Sequence, residues 1–370
     1  MWKKNIFLGF ILVAIISVYY GCKKHEVPII INSAPKYQEK YVDLEKLFSI
    51  DVTEINLFTK RNDYYGCYAF DSKNNLYILD TYEGIITVYD ENGNFVRSFG
   101  GKGQGPNEFY NATFMLIKKD KIYVYQGLYE IKVLTLEGEL IKRYQVSLYI
   151  ENPLRPKVVG DKFYLLKGRT DRTFTKLELV LSSELNEKFS GGKDIWRYKY
   201  PHGLPGYPCW EWLMVLDTGE FFFPEDNHNK YLITKYDKLG RPILKFGRKY
   251  KKEKYSKEAI ERFYSIYKKS IENGKIKVFD EPPIVRAMFQ DLRKNIWVVF
   301  GETYEDNMHP DFENSVDIFS EKGEWLYSFK TKKISKNIFY NNGKIYKVSP
   351  LNVENYEQFI DVYEIKYLLD

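Results

Sequence analysis

The chain has 370 residues, of which 56 are basic and 50 acidic, giving a formal net charge of +6. Aromatic residues make up 17% of the chain, which is typical of half-buried β-strands and argues against a disordered or an all-helical protein. Lysines are spread along the whole chain and form no compact basic cluster of the kind that follows a nucleic-acid backbone, so we expect no nucleic-acid partner.

An export signal stands at the start of the sequence. Two lysines precede the apolar run Ile6–Tyr20, which is too short to be a comfortable membrane span. The next two residues, Gly21 and Cys22, resemble a bacterial lipobox, in which the cysteine is acylated. We therefore expect a lipoprotein-type signal peptide over residues 1–21, a lipid on Cys22, and a protein held at a membrane of the cell envelope. An uncleaved signal anchor and a plain secreted protein are the alternatives.

A polar segment follows the signal. Residues 22–46 contain Pro28 and Pro35, which favours an extended tether between the membrane and a folded domain over residues 47–370. Near the start of that domain, residues 50–58 have the composition of a strand.

A unit of three or four short strands then recurs along the chain. It is clearest in an apolar run at Leu76–Leu79, an alternating run at Ile85–Asp90, and a turn at Asn92-Gly93 that leads into a third run. A repeat with this content and a period of roughly 40–50 residues predicts a β-propeller. The predicted blades cover residues 64–101, 112–146, 155–191, 209–248, 284–330 and 335–367.

The last predicted blade has three strands. We expect the strand at 50–58 to supply the fourth, because a ring closed in this way leaves no exposed sheet edge for aggregation. The predicted fold is therefore an all-β, six-bladed propeller of four-stranded blades, closed by an N-terminal strand in the last blade.

One segment departs from the strand pattern. Residues 251–273 have apolar side chains at helical spacing, including Ile260, Phe263 and Ile271, which predicts an amphipathic helix inserted between blades four and five. Such a helix would either pack on the rim of the ring or act as a lid or docking site for a partner.

The glycine-rich stretch Phe99–Phe109 resembles the link between NHL repeats. The strand that ends at Asp80, and the pair Asp291 and Trp297 in blade five, match the same repeat. Together with the lipobox, the chain over residues 47–367 resembles the six-bladed NHL-type propeller lipoproteins of bacteria. This resemblance implies the fold and an envelope location. It gives little function, because most members have no assigned chemistry.

Catalytic motifs are missing from the sequence. The four histidines are scattered, and neither G-x-S-x-G nor H-E-x-x-H occurs. We expect no cofactor and no metal, and we favour a non-catalytic binding protein. The alternative is a metal-dependent, calcium-type hydrolase or lactonase at the channel mouth.

Binding residues are expected where the inner strands meet at the central face. Aromatic and arginine side chains there would suit a peptide, a glycan or a protein ligand. The candidate ligand contacts are Arg61, Tyr64, His202, Trp210 and Arg286.

Overall fold

A computed structural model gives the structure of the protein. It describes residues 26–55, 67–126, 130–145, 153–159, 162–170, 174–182, 193–201, 203–204, 213–225, 229–251, 254, 257–273, 277–278, 284–300, 313–335, 337–349 and 357–369. Within these ranges the chain is almost entirely β-structure.

The strands of the N-terminal half are, in chain order, β1 Ile29–Asn32, β2 Val42–Asp51, β3 Tyr68–Phe70, β4 Leu76–Asp80, β5 Ile85–Tyr89, β6 Phe95–Gly100, β7 Ala112–Lys118, β8 Lys121–Gln126, β9 Glu130–Thr135, β10 Leu140–Gln145, β11 Pro153–Val159, β12 Lys162–Thr170, β13 Phe174–Ser182 and β14 Lys193–Pro201. Those of the C-terminal half are β15 Gly203–Leu204, β16 Met214–Val215, β17 Phe221–Pro224, β18 Leu232–Tyr236, β19 Pro242–Arg248, β20 Lys277–Val278, β21 Val285–Gln290, β22 Ile296–Phe300, β23 Asn314–Phe319, β24 Trp325–Thr331, β25 Ile338–Asn341, β26 Lys344–Val348 and β27 Phe359–Tyr367.

Six antiparallel sheets follow one another along the chain. Sheet one is β3–β6, sheet two β7–β10, sheet three β11–β14, sheet four β16–β19, sheet five β21–β24, and sheet six β25–β27 with β2. Sheets one, two and five span residues 68–100, 112–145 and 285–331, beside predicted blades at 64–101, 112–146 and 284–330. Sheet three differs, because its last strand runs to Pro201, beyond the predicted end at residue 191.

Sheet six takes its fourth strand from the N-terminal part of the chain. β2 pairs antiparallel with β27, from Val42 opposite Tyr367 to Asp51 opposite Phe359. The prediction placed this strand at 50–58, so its position was wrong, and residues 56–58 lie outside the described residues. A β-bulge between Lys46 and Phe48 interrupts the alternation that would have revealed the strand in the sequence.

The structure also differs from the tether expected over residues 22–46. β1 pairs in parallel with β19, as a fifth strand of sheet four. The backbone N–H groups of Lys36 and Tyr37 then donate to carbonyls of β24 in sheet five. We call residues 29–51 the N-terminal strap, because they run along the last strands of sheets four and five before they complete sheet six.

Apolar clusters fill the spaces between neighbouring sheets. Separate clusters join sheets one and two, four and five, and five and six. Another cluster joins sheet six to sheet one through Phe339, Tyr346 and Ile360 on one side and Leu76 and Ile78 on the other. The first and last sheets of the chain are therefore neighbours, as in sheets arranged around an axis. The first strands meet on the inside, where β7 lies against both β3 and β11.

Helix α1, Lys257–Glu272, lies in the connection from β19 to β21, within the range predicted to be helical. Among the helix side chains that the structure describes, the exposed ones are charged or polar apart from Tyr264, which is 47% exposed, and Lys268 forms an ion pair with Glu272 at 4.0 Å. No helix in the described part of the chain is long and apolar enough to span a membrane.

Candidate functional site

The sheets have two ends with different connections. In each four-stranded meander, the turns between strands one and two and between strands three and four lie at one end, which we call the turn face; it includes residues 71–75, 90–94, 237–241 and 291–295. The opposite end, which we call the loop face, holds the connections between strands two and three and between successive sheets. It includes residues 81–84 and 101–111.

Most of the predicted ligand contacts cannot be placed. Arg61, Tyr64, His202 and Trp210 lie outside the described residues, as does Cys22. Arg286 lies on β21, the first strand of sheet five, and is only 9% exposed. Of the predicted contacts, Arg286 alone lies within the described residues, and its role in binding stays a prediction.

A tight turn on the loop face presents Tyr82. The Asp80 carboxylate accepts hydrogen bonds from the backbone N–H groups of Tyr82 and Glu83, at 2.8 and 2.9 Å. The N–H of Gly84 donates to the Asp80 carbonyl and completes the turn. The buried Asp80 side chain thus holds the backbone of the turn in place. The Tyr82 side chain at its tip stays 60% exposed.

The glycine-rich link packs directly on this turn. The N–H of Gly101 donates to the Gly84 carbonyl, and the N–H of Phe109 donates to the Gly101 carbonyl, both at 2.7 Å. Gly84 has a φ of +66°, and a Cβ at this position would lie 2.7 Å from the carbonyl oxygen of Phe109. Only glycine fits this close approach. The link and the turn at residues 80–84 thus pack backbone against backbone.

A buried lysine holds the link from the inside. Lys132, on β9, is 1% exposed, and its ammonium donates to the carbonyl oxygens of Gly105 and Glu108. Burial lowers the pKa of this ammonium below its usual value. The Glu108 carboxylate in turn accepts from the N–H of Gly105 at 2.9 Å. Side-chain hydrogen bonds thus fix a link that has no regular structure of its own.

The turn and the glycine-rich link together expose two tyrosines, which form a small aromatic surface. Tyr82 is 60% and Tyr110 is 52% exposed, and the Lys102 ammonium lies 4.2 Å from the centre of the Tyr82 ring. The N–H of Tyr110 donates to Gln126 at 2.7 Å, which ties this residue to sheet two. We call Tyr82, Lys102 and Tyr110 the tyrosine platform. Exposed aromatic faces beside a cation suit a sugar ring, a peptide or an anionic group.

The tyrosine platform was not predicted from the sequence, because binding residues were expected on the first strands of the blades and both tyrosines lie in connections. One signal was present in the sequence: the run from Asp80 to Gly84 is a turn of the Asx type with a tyrosine at its tip.

Two buried acids, Asp71 and Asp291, accept hydrogen bonds from residues that follow them in the chain and so stabilise their own turns. Asp71 accepts from the N–H groups of Lys73 and Asn75 and from the Asn75 amide, at 2.8–2.9 Å. Asp291 accepts from the Asn295 N–H at 2.9 Å and from the Trp297 indole at 2.6 Å. Among the described residues, no three His, Cys, Asp or Glu side chains are grouped so that they could hold a metal ion.

Comparisons with known proteins concern the fold. A family model, DUF5128, described as "6-bladed beta-propeller", matches residues 22–158. A member of the DUF4221 family from Bacteroides vulgatus is 14% identical with a TM-score of 0.49, and the alignment covers 89% of this chain and 100% of that one. A candidate exported protein from Bacteroides fragilis is 11% identical with a TM-score of 0.50, over 93% of this chain and 99% of that one. No curated protein matches the sequence.

Similarity at 11% identity concerns the fold alone. It agrees with the six successive antiparallel sheets and with the contact between the first and the last of them. The protein is a six-bladed β-propeller.

Proposed function

We propose that the protein is a non-catalytic binding propeller of the bacterial cell envelope, which takes a glycan, peptide or protein ligand across its loop face. The observation that carries this proposal is the tyrosine platform, with two exposed tyrosines on backbone that a buried lysine and a buried aspartate hold in place. Propellers offer their loops on a rigid scaffold, and binding residues concentrate on such loops.

Rigid presentation favours binding for a physical reason. A tyrosine offers a large amphipathic surface with few rotatable bonds, so little side-chain entropy is lost on contact. A loop that is already ordered adds no further ordering cost when the ligand binds. Tyr110 lies directly before β7, the first strand of sheet two, so a ligand on the platform could extend toward the central face, where Arg286 remains a proposed contact.

The envelope location is proposed from the sequence. The apolar run before Cys22 is an export signal, and the family match begins at residue 22, directly after the proposed signal peptide. The resemblance to NHL-type lipoproteins points to the same location. Replacement of Cys22 by alanine should abolish labelling by a radioactive fatty acid and move the protein from the membrane fraction to the soluble fraction.

The hydrolase alternative has no observation in its favour among the described residues, and we do not propose it.

A ligand screen with matched variants tests the binding proposal. The full-length protein, in detergent, is screened against glycan and peptide arrays, and each hit is titrated again with the double variant Tyr82→Ala, Tyr110→Ala. We expect this variant to lose about tenfold or more in affinity, as for aromatic contacts at the centre of an interface. The control is Phe95→Ala, since Phe95 is 63% exposed but lies at the turn face. Equal affinities for all three proteins would contradict the proposed site.

A further inference from the structure

The chain enters the propeller from the turn face. The Pro28 carbonyl accepts from the N–H of Lys245 at 2.8 Å, and β1 then runs parallel to β19 from Ile29 to Asn32. Because β19 starts at the turn 237–241 and runs toward the loop face, the residues before Pro28 lie on the turn-face side.

Little chain remains between this entry point and the membrane. Cys22 precedes Pro28 by six positions. An extended chain covers about 3.3–3.6 Å per residue, so these positions span at most about 22 Å. If Cys22 carries a lipid, or if the apolar run before it is an anchor, the bilayer surface lies close to the turn face.

The turn face carries exposed apolar side chains on most of its sheets. Leu292 is 71%, Phe95 63% and Leu239 49% exposed, in sheets five, one and four. Ile141 and Leu368 add exposed apolar groups from sheets two and six, at 47% and 51%. Isolated exposed apolar residues are ordinary, but their repetition around one end of five sheets is not explained by packing within the fold.

The entry point itself is apolar as well. Ile29 is 61% exposed and pairs with Lys245, and Ile243 lies two residues earlier on β19. Exposed apolar side chains thus stand on both strands at the point where the chain enters sheet four.

From these observations we infer that the turn face rests on the lipid bilayer, with Phe95, Ile141, Leu239, Leu292 and Leu368 in the interface, and that the loop face points away from the membrane. The inference rests on the envelope anchoring proposed above. It gives the tyrosine platform its orientation: ligands reach it from the side opposite the bilayer.

Photolabelling from the lipid phase tests this orientation. The full-length protein is reconstituted into vesicles of phosphatidylethanolamine and phosphatidylglycerol that contain a small fraction of a diazirine-bearing phospholipid. After irradiation, labelled peptides are identified by mass spectrometry. We expect peptides with residues 91–96, 237–243 and 291–295 to carry several-fold more label than peptides with residues 81–85 and 101–110.

Matched variants make the result specific. The double variant Leu239→Asn, Leu292→Asn should lose label at those two turns and stay bound to vesicles, while Tyr82→Asn, Tyr110→Asn should leave the labelling pattern unchanged. Equal labelling of the two faces, or a vesicle-bound protein with an unlabelled turn face, would overturn the inference.

Flotation of the vesicles distinguishes a wrong orientation of the propeller from a failure of the membrane anchoring. Wild-type protein that does not float with vesicles would show that the anchoring proposal is wrong, and the inference falls with it. Protein that floats but carries its label on the loop face would leave the anchoring intact and reverse the orientation.

Discussion

The Lys132 ammonium donates a hydrogen bond to the carbonyl oxygen of Gly105 at 2.7 Å, although the lysine side chain is 1% exposed. A buried ammonium is unfavourable unless its hydrogen bonds are satisfied, and here the acceptors are the carbonyls of the glycine-rich link. The same contact therefore neutralises the cost of burying Lys132 and fixes the backbone beside Tyr110.

Replacement of Lys132 by methionine should loosen the link. Methionine keeps most of the alkyl chain but leaves the Gly105 and Glu108 carbonyls without their donor, at an expected cost of about 1–3 kcal/mol. Hydrogen exchange of the Phe109 and Gly101 amides should become faster, and ligand affinity should fall although both tyrosines are present. Lys142→Met, at an exposed position on β10, is the control. Unchanged exchange in the Lys132 variant would show that other contacts hold the link.

Asp291 is expected to be a stability residue. Its replacement by alanine leaves the buried indole N–H of Trp297 and the N–H of Asn295 without their acceptor, which should destabilise the fold by about 2–4 kcal/mol. Asp90→Ala removes the same turn pattern at an exposed site, where water replaces the carboxylate, so its effect should be much smaller. Urea unfolding of the two variants measures the difference, and equal losses would contradict this assignment.

These turns also show how far the sequence predicts the fold. Turn residues such as Asn92-Gly93, with Gly93 at a φ of +84°, mark the connections locally, and the apolar runs between them give the strands. β1 was missed because its partner β19 lies more than two hundred positions away, as the hydrogen bond from Asn32 to Gly247 illustrates. A short run such as Ile29–Ile31 is a strand only where it finds such an edge.

The candidate site was less predictable for a related reason. On β9, Lys132 is one residue in an alternating strand, and nothing in the sequence distinguishes it from a solvated lysine. Its role depends on the glycine-rich link that packs over it. Arg286, conversely, was expected at a ligand and lies mostly buried on β21.

The contact between sheets four and five depends on an ion pair. The Arg248 guanidinium donates to the fully buried Asp317 carboxylate at 2.6 Å and lies over the rings of Phe300 and Trp325. Burial raises the pKa of Asp317, an effect that Arg248 opposes. Arg248→Met should therefore cost about 3–5 kcal/mol, since it leaves the carboxylate buried without its partner.

A double-mutant cycle tests this pair. Asp317→Asn alone leaves Arg248 without its counter-ion, so the double variant Arg248→Met, Asp317→Asn should be less destabilised than the sum of the two single variants. Simple additivity in denaturant unfolding would show that the two side chains do not stabilise each other.

The strand pair β2–β27 should weaken in acid. Burial alone would raise the pKa of Asp361, but hydrogen bonds from Lys46 and Ser49, with the positive charge of Lys46, outweigh it and lower the pKa below 3.8. A lowered carboxylate pKa adds stability that is present above the unfolded value of 3.8 and is lost as the pH falls through the lower folded value.

Asp361→Asn should remove this acid dependence. The loss at neutral pH should stay below about 1 kcal/mol, because the Lys46 partner is half exposed and solvent screens the pair. Unfolding curves between pH 7 and pH 3 measure the slope, and Lys46→Met should weaken it too. A variant whose stability declines with acid as steeply as that of the wild type would refute the role of Asp361.

The most direct test of the account is a hydrogen-exchange footprint of the full-length protein with the strongest hit from the ligand screen. We expect new protection in residues 81–84 and 101–110, and none in the turns 90–94, 237–241 and 291–295. Protection confined to the turn face would contradict the central claim that this propeller binds its ligand across the loop face.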